Sequence, residues 1–87
     1  MYNKKYIIEK IEEFNHHNPI YDYVEGSIAH PAYFCIGERG WFLYIRNGYA
    51  NRIHTSVVQS VEYTDDMIIL RTNNTKITFR LMDEYNI

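Results

Sequence analysis

Residues 61–79 read Val61-Glu62-Tyr63-Thr64-Asp65-Asp66-Met67-Ile68-Ile69-Leu70-Arg71-Thr72-Asn73-Asn74-Thr75-Lys76-Ile77-Thr78-Phe79, with two turn-forming pairs dividing three apolar-rich segments. Asp and Asn tolerate tight-turn backbone better than most residues. Taken as a two-residue turn, Asp65-Asp66 pairs Tyr63 with Ile68 and Val61 with Leu70. Asn73-Asn74 in turn pairs Leu70 with Ile77 and Ile68 with Phe79. Both registers put Val61, Tyr63, Ile68, Leu70, Ile77 and Phe79 on one face, and a one-residue slip in either turn would scatter them. The stretch is therefore expected to be a three-stranded antiparallel meander. Its opposite face carries Glu62, Met67, Ile69, Arg71, Lys76, Thr78, Arg80 and Met82.

Upstream, Asn47-Gly48 is the strongest short hairpin signal, because both residues accept the positive φ of a type I′ turn. It joins strands expected at Trp41–Arg46 and Tyr49–His54. One face of that hairpin holds Phe42, Tyr44, Arg46, Tyr49, Asn51 and Ile53. The other holds Trp41, Leu43, Ile45, Ala50, Arg52 and His54 and is the more apolar, so it is expected to point inward, with Arg52 and His54 near its edge. Gly37-Glu38-Arg39-Gly40 reads as a turn after a strand at Ala32–Ile36, and Tyr21–Glu25 reads as a strand bent at Gly26. Nearer the start, Ile7, Ile8, Ile11 and Phe14 share a stripe at the 3.6-residue period, which predicts a helix over 3–15 capped by Asn3 and ended before Pro19. The expected fold is α+β: a single domain over 1–87, with that helix packed on an antiparallel sheet or small open barrel of about five to six strands spanning residues 20–82.

The chain has 87 residues, nine Lys or Arg against eleven Asp or Glu, and a net charge of −2. That balance argues against a dedicated DNA-binding domain, which needs excess cations to displace counterions. No apolar run approaches the roughly 18 residues of a membrane span, and no leader-like segment opens the chain. Cys35 is the sole cysteine, which fits a reducing cytoplasm. His16, His17, His30 and His54 match no zinc-ligand spacing, so no metal or other cofactor is expected. His54-Thr55-Ser56 places a base beside two hydroxyls, yet neighbouring strand residues face opposite ways. Asp65-Asp66 reads as a turn and no glycine-rich phosphate loop is present, so no enzymatic activity is expected.

Two surfaces remain as candidate sites. Tyr44, Arg46, Tyr49 and Asn51 would cluster outward near the hairpin tip, in the residue types enriched at interface hot spots. Arg71, Lys76 and Arg80 would form a basic strip on the meander, interrupted by exposed Ile69 and two methionines. Such a face suits an acidic partner, and an exposed face or edge strand would also serve a homodimer.

Thr55-Ser56-Val57-Val58, followed by Arg71-Thr72-Asn73-Asn74-Thr75-Lys76-Ile77-Thr78-Phe79, resembles small phage and prophage proteins in which a Thr-Ser-x-Val element precedes a hairpin closing on Thr-x-Asn-Thr. The likeness covers the C-terminal half. The chain also looks like phage-encoded anti-defence proteins, the anti-CRISPR inhibitors among them. That resemblance implies a non-enzymatic viral protein acting in the bacterial host cytoplasm, which sterically inhibits a defence complex such as a CRISPR-Cas nuclease. The alternative is a small barrel binding nucleotides or single-stranded nucleic acid through the same tyrosines and cations.

Overall fold

The computed structural model describes residues 4–15 and 17–82. Six strands, β1 (Tyr6–Glu13), β2 (Ile28–Tyr33), β3 (Arg39–Arg46), β4 (Tyr49–Tyr63), β5 (Met67–Thr72) and β6 (Thr75–Leu81), close into an antiparallel barrel in sequence order. A four-residue helical turn, α1 (Tyr21–Val24), sits between β1 and β2. The fold is therefore a closed β-barrel, not α+β with an N-terminal helix.

The C-terminal meander has the register expected of it. Tyr63 stands opposite Ile68 and Val61 opposite Leu70, while Leu70 faces Ile77 and Ile68 faces Phe79. Ile68, Leu70, Ile77 and Phe79 are buried, and Val61 packs at the edge of the core. Tyr63 shares their face but emerges into solvent. Asn47 and Gly48 adopt φ of 54° and 81°, and the turn sets Arg46 against Tyr49, as expected for two positive-φ residues.

The N-terminal segment is where the helical reading fails. Residues 6–13 form β1, paired with β6; Asn3, the expected cap, lies outside the described residues. The cause is a bulge. Ile8 stands opposite Phe79 and Lys10 opposite Thr78, so Glu9 is an extra residue in β1. A bulge lengthens one same-face step from two residues to three. Ile8 and Ile11, which faces Ile77, therefore share a face at a spacing that imitates a helix turn. Tyr21–Glu25, expected as a strand, is instead largely α1. Asn18 Oδ1 accepts the Ile20 N–H at 3.2 Å, and the Tyr21 N–H reaches the Asn18 carbonyl at 3.0 Å. An Asn-Pro pair that starts a turn in this way commits the next residues to helical geometry. Val24 is fully buried in the core.

The hairpin face is inverted relative to expectation. Phe42, Tyr44 and Ile53 point inward and are buried, whereas Trp41, Leu43, Ile45, Ala50, Arg52 and His54 lie outside. Phe42 meets Phe79 edge-on, with ring centroids 5.2 Å apart, and small Ala29 stands opposite Tyr44. Turning the hairpin over would bury Arg52, and an unpaired buried charge costs several kcal/mol. That penalty outweighs the extra apolar area that one tryptophan would bring inside.

β4 serves two neighbours. Its first half pairs with β3 and its second with β5, with register breaks between His54 and Val57 and between Val58 and Ser60. Thr55 marks the first break: its Oγ1 accepts the Gly40 N–H at 3.0 Å and donates to the Ser56 carbonyl at 2.7 Å. Gly40 admits this approach because it lacks Cβ, which would stand 2.9 Å from the Tyr33 carbonyl oxygen. No helix among the described residues is long and apolar enough to cross a membrane.

Candidate partner-binding face

Of the four residues expected to cluster at the hairpin tip, Tyr44 does not share the surface. Tyr44 is only 8% exposed and belongs to the core. Arg46 lies over the Tyr23 ring at 4.4 Å, beside Tyr49, which is 74% exposed. Half-buried Asn51 is turned back on its own strand, with Nδ2 donating to the Tyr49 carbonyl at 3.2 Å.

Of the expected basic strip, Arg80 is held by carboxylates. Both Arg80 donors Nε and Nη2 bind Glu9, at 3.0 and 3.1 Å, and Asp66 lies 3.6 Å from Nη1. Arg71 stands opposite Lys76, as expected, but its guanidinium lies 4.7 Å over the Phe14 ring. Half-buried Lys76 has Glu12 across from it on β1. Ile69, Met67 and Met82 are half-buried, not exposed. Glu9, the bulge residue, and Glu12 were assigned to a helix in the sequence, so their partnership with β6 could not be read there.

The face that stands out is the one expected to be inside. Trp41, Leu43 and Ile45 of β3 run along the barrel exterior, each half-buried, with Ile28 and His30 of β2 opposite Ile45 and Leu43. Arg52 lies 4.5 Å over the Trp41 ring, and His54 packs beside it with centroids 6.5 Å apart. His30, Pro31, Ala32, Trp41 and Leu43 line an open, mainly apolar depression of about 400 Å³. A neighbouring polar cleft of about 290 Å³ includes His54 in its wall, with Arg39, Ser56, Asn74 and Glu13. The Arg39 Nε–H donates to the Thr55 carbonyl at 2.9 Å, which fixes the plane of the guanidinium. Asn74 ties the cleft together: Nδ2 donates to Ser56 Oγ at 2.8 Å, and the Asn74 carbonyl accepts the Phe14 N–H at 2.9 Å.

Glu13 closes the far side. Its Oε2 accepts the Asn18 N–H at 2.7 Å, and Oε1 lies 2.7 Å from His17 Nδ1, whose other nitrogen is 3.2 Å from Asp22. The hydrogen bond to Glu13, and after it the one to Asp22, raises the His17 pKa above its ordinary value. A raised folded-state pKa contributes stability below the ordinary value, lost as pH rises through the raised one. NMR titration is expected to place His17 above 6.5, and Glu13→Gln to bring it back toward 6.5. An unshifted His17 in the wild-type chain contradicts this geometry. The Tyr21 hydroxyl on the same side is raised first by burial and then by Glu13.

Of the remaining candidate ligands, His16 lies outside the described residues and Cys35 is exposed in the β2–β3 connection. Among the described residues, no three His, Cys, Asp or Glu side chains gather in a way that could hold a metal.

Fold and surface together define a small closed β-barrel with an external aromatic and cationic face. Comparison with protein-family models, curated proteins and solved structures finds no match to this chain.

Proposed function

We propose that this chain is a non-enzymatic binding module that covers a surface of a protein partner with the outer face of β2, β3 and β4. A defence nuclease complex of a bacterial host, occluded sterically, is the partner class implied by the resemblance of the C-terminal half to phage proteins. The observation that supports the reading is the inverted hairpin: the more apolar of its two faces is the external one. Solvent-facing strand positions ordinarily carry polar residues, and a continuous apolar strip outside a barrel signals contact with something else. Barrel closure removes free strand edges, so capture falls to side chains instead of added strands. Trp and Arg are the residue types most enriched at interface hot spots.

The alternative of single-stranded nucleic acid binding has less support. One ring face each of Trp41, Tyr23 and Phe14 already carries a guanidinium at 4.4–4.7 Å, where a base would stack. The test compares proteins retained from a host lysate by immobilised wild-type chain and by a Trp41→Ala variant. Loss of a specifically retained protein supports the reading; an unchanged set overturns it.

A further inference from the structure

We infer that the polar cleft beside Trp41 is a carboxylate subsite, so that the partner segment seated on this face presents an Asp or Glu next to an apolar side chain. The inference rests on the proposed docking face and names the chemistry of its occupant. Charge complementarity carries it. The outward positions 41, 43 and 45 of β3 and 50, 52 and 54 of β4 hold one arginine, one histidine and no carboxylate. Arg39 brings a second arginine to the edge of that face, where the cleft also holds Glu13, although the chain as a whole is acidic. Charge of one sign gathered on one face of an oppositely charged molecule sets the sign of what docks there.

The cleft is built to take a carboxylate. With Arg39 Nε spent on the Thr55 carbonyl, the two terminal nitrogens remain as the forked pair that matches carboxylate geometry. Among the described residues no ion pair engages Arg39. Ser56 Oγ accepts from Asn74, so its own proton is the one it gives away. Glu13 also lines the cleft, and its charge is felt by Tyr21 beside it, so the ligand carboxylate is placed at Arg39 and Ser56 and not against the Glu13 wall. His54 borders both the cleft and Trp41, so a carboxylate at Arg39 leaves an adjacent apolar side chain within reach of the Trp41 and Leu43 depression.

Selection of a random 12-residue peptide library on the full immobilised chain tests this directly. Peptides pairing Asp or Glu with Leu, Phe or Trp are expected to be enriched about tenfold or more over the starting pool, a preference of the size one charge-assisted contact gives. Arg39→Gln is expected to select apolar peptides with no acidic preference, and Arg39→Lys to keep part of it. Trp41→Ala is expected to select nothing. Circular dichroism melts establish that each variant is folded. Apolar enrichment without acidic preference in the wild type, or the same preference in Arg39→Gln, overturns the inference while leaving the docking face standing. Selection unchanged by Trp41→Ala overturns the docking face itself. A dimer of the chain alone, dissolved by Trp41→Ala, would assign the face to a second copy and also overturn the inference.

Discussion

Phe79→Ala is expected to lower the melting temperature by about 20 °C or more, and in many buffers to leave no folded baseline. Phe79 is fully buried, sits opposite both Ile8 and Ile68, and touches the rings of Phe42 and Phe34 at centroid distances of 5.2 and 5.7 Å. It thus bridges the N-terminal strand, the meander and the hairpin. Truncating a buried phenylalanine costs about 3–5 kcal/mol, because the cavity adds to the lost transfer energy. A chain of this length has only about 4–13 kcal/mol of total stability. Each kcal/mol corresponds to roughly 4–8 °C in a domain of this size. A melt within about 5 °C of wild type would mean that Phe79 does not join the three parts of the barrel.

Trp41→Ala is expected to do the opposite: to weaken partner binding about 30-fold or more with little change in melting temperature. A hot-spot tryptophan contributes about 2–4 kcal/mol to binding, and here its loss also frees Arg52 from the ring it lies over. Its side chain is only half-buried and contributes nothing to the barrel interior. Titration calorimetry against the captured partner, with a melt of the same sample, separates the two effects. Unaltered affinity in a folded variant would remove Trp41 from the interface. A folded variant that has lost its partner isolates binding from stability.

How far the sequence reveals this molecule depends on where local chemistry and global packing agree. In the meander they agree: two tight turns and a single alternation fix each other, so the register of residues 61–79 was legible. At Asn47-Gly48 the turn and the pairing were legible too, because positive φ limits the choice of residue. At Ile8–Ile11 they disagree. The bulge at Glu9 replaces a spacing of two by a spacing of three, and no local rule distinguishes that step from a helix turn without knowing that β6 lies alongside.

The hairpin faces failed for a different reason. Counting apolar residues favoured burying Trp41, Leu43 and Ile45, while the decisive quantity was the desolvation of Arg52 on the same face. That signal was present in the sequence and, weighted by its energy, would have turned the hairpin the right way. The candidate contacts followed these two errors, the hairpin face for Tyr44 and the missed β1–β6 pairing for Arg80. Tyr44 moved into the core, Arg80 was claimed by Glu9 and Asp66, and the external tryptophan face came into view only once the barrel was closed.

The orientation of the hairpin governs both the core and the docking face, and adjacent lysine substitutions measure it. Thermal melts of Leu43→Lys and Phe42→Lys, recorded side by side, probe neighbouring positions on opposite faces. With Phe42 fully buried and Leu43 on the exterior, Phe42→Lys is expected to abolish the cooperative transition, because it places an unpaired charge in the barrel. Leu43→Lys is expected to melt within about 8 °C of wild type, as an exterior strand position allows. A folded Phe42→Lys together with an unfolded Leu43→Lys would contradict the inverted hairpin and everything built on it.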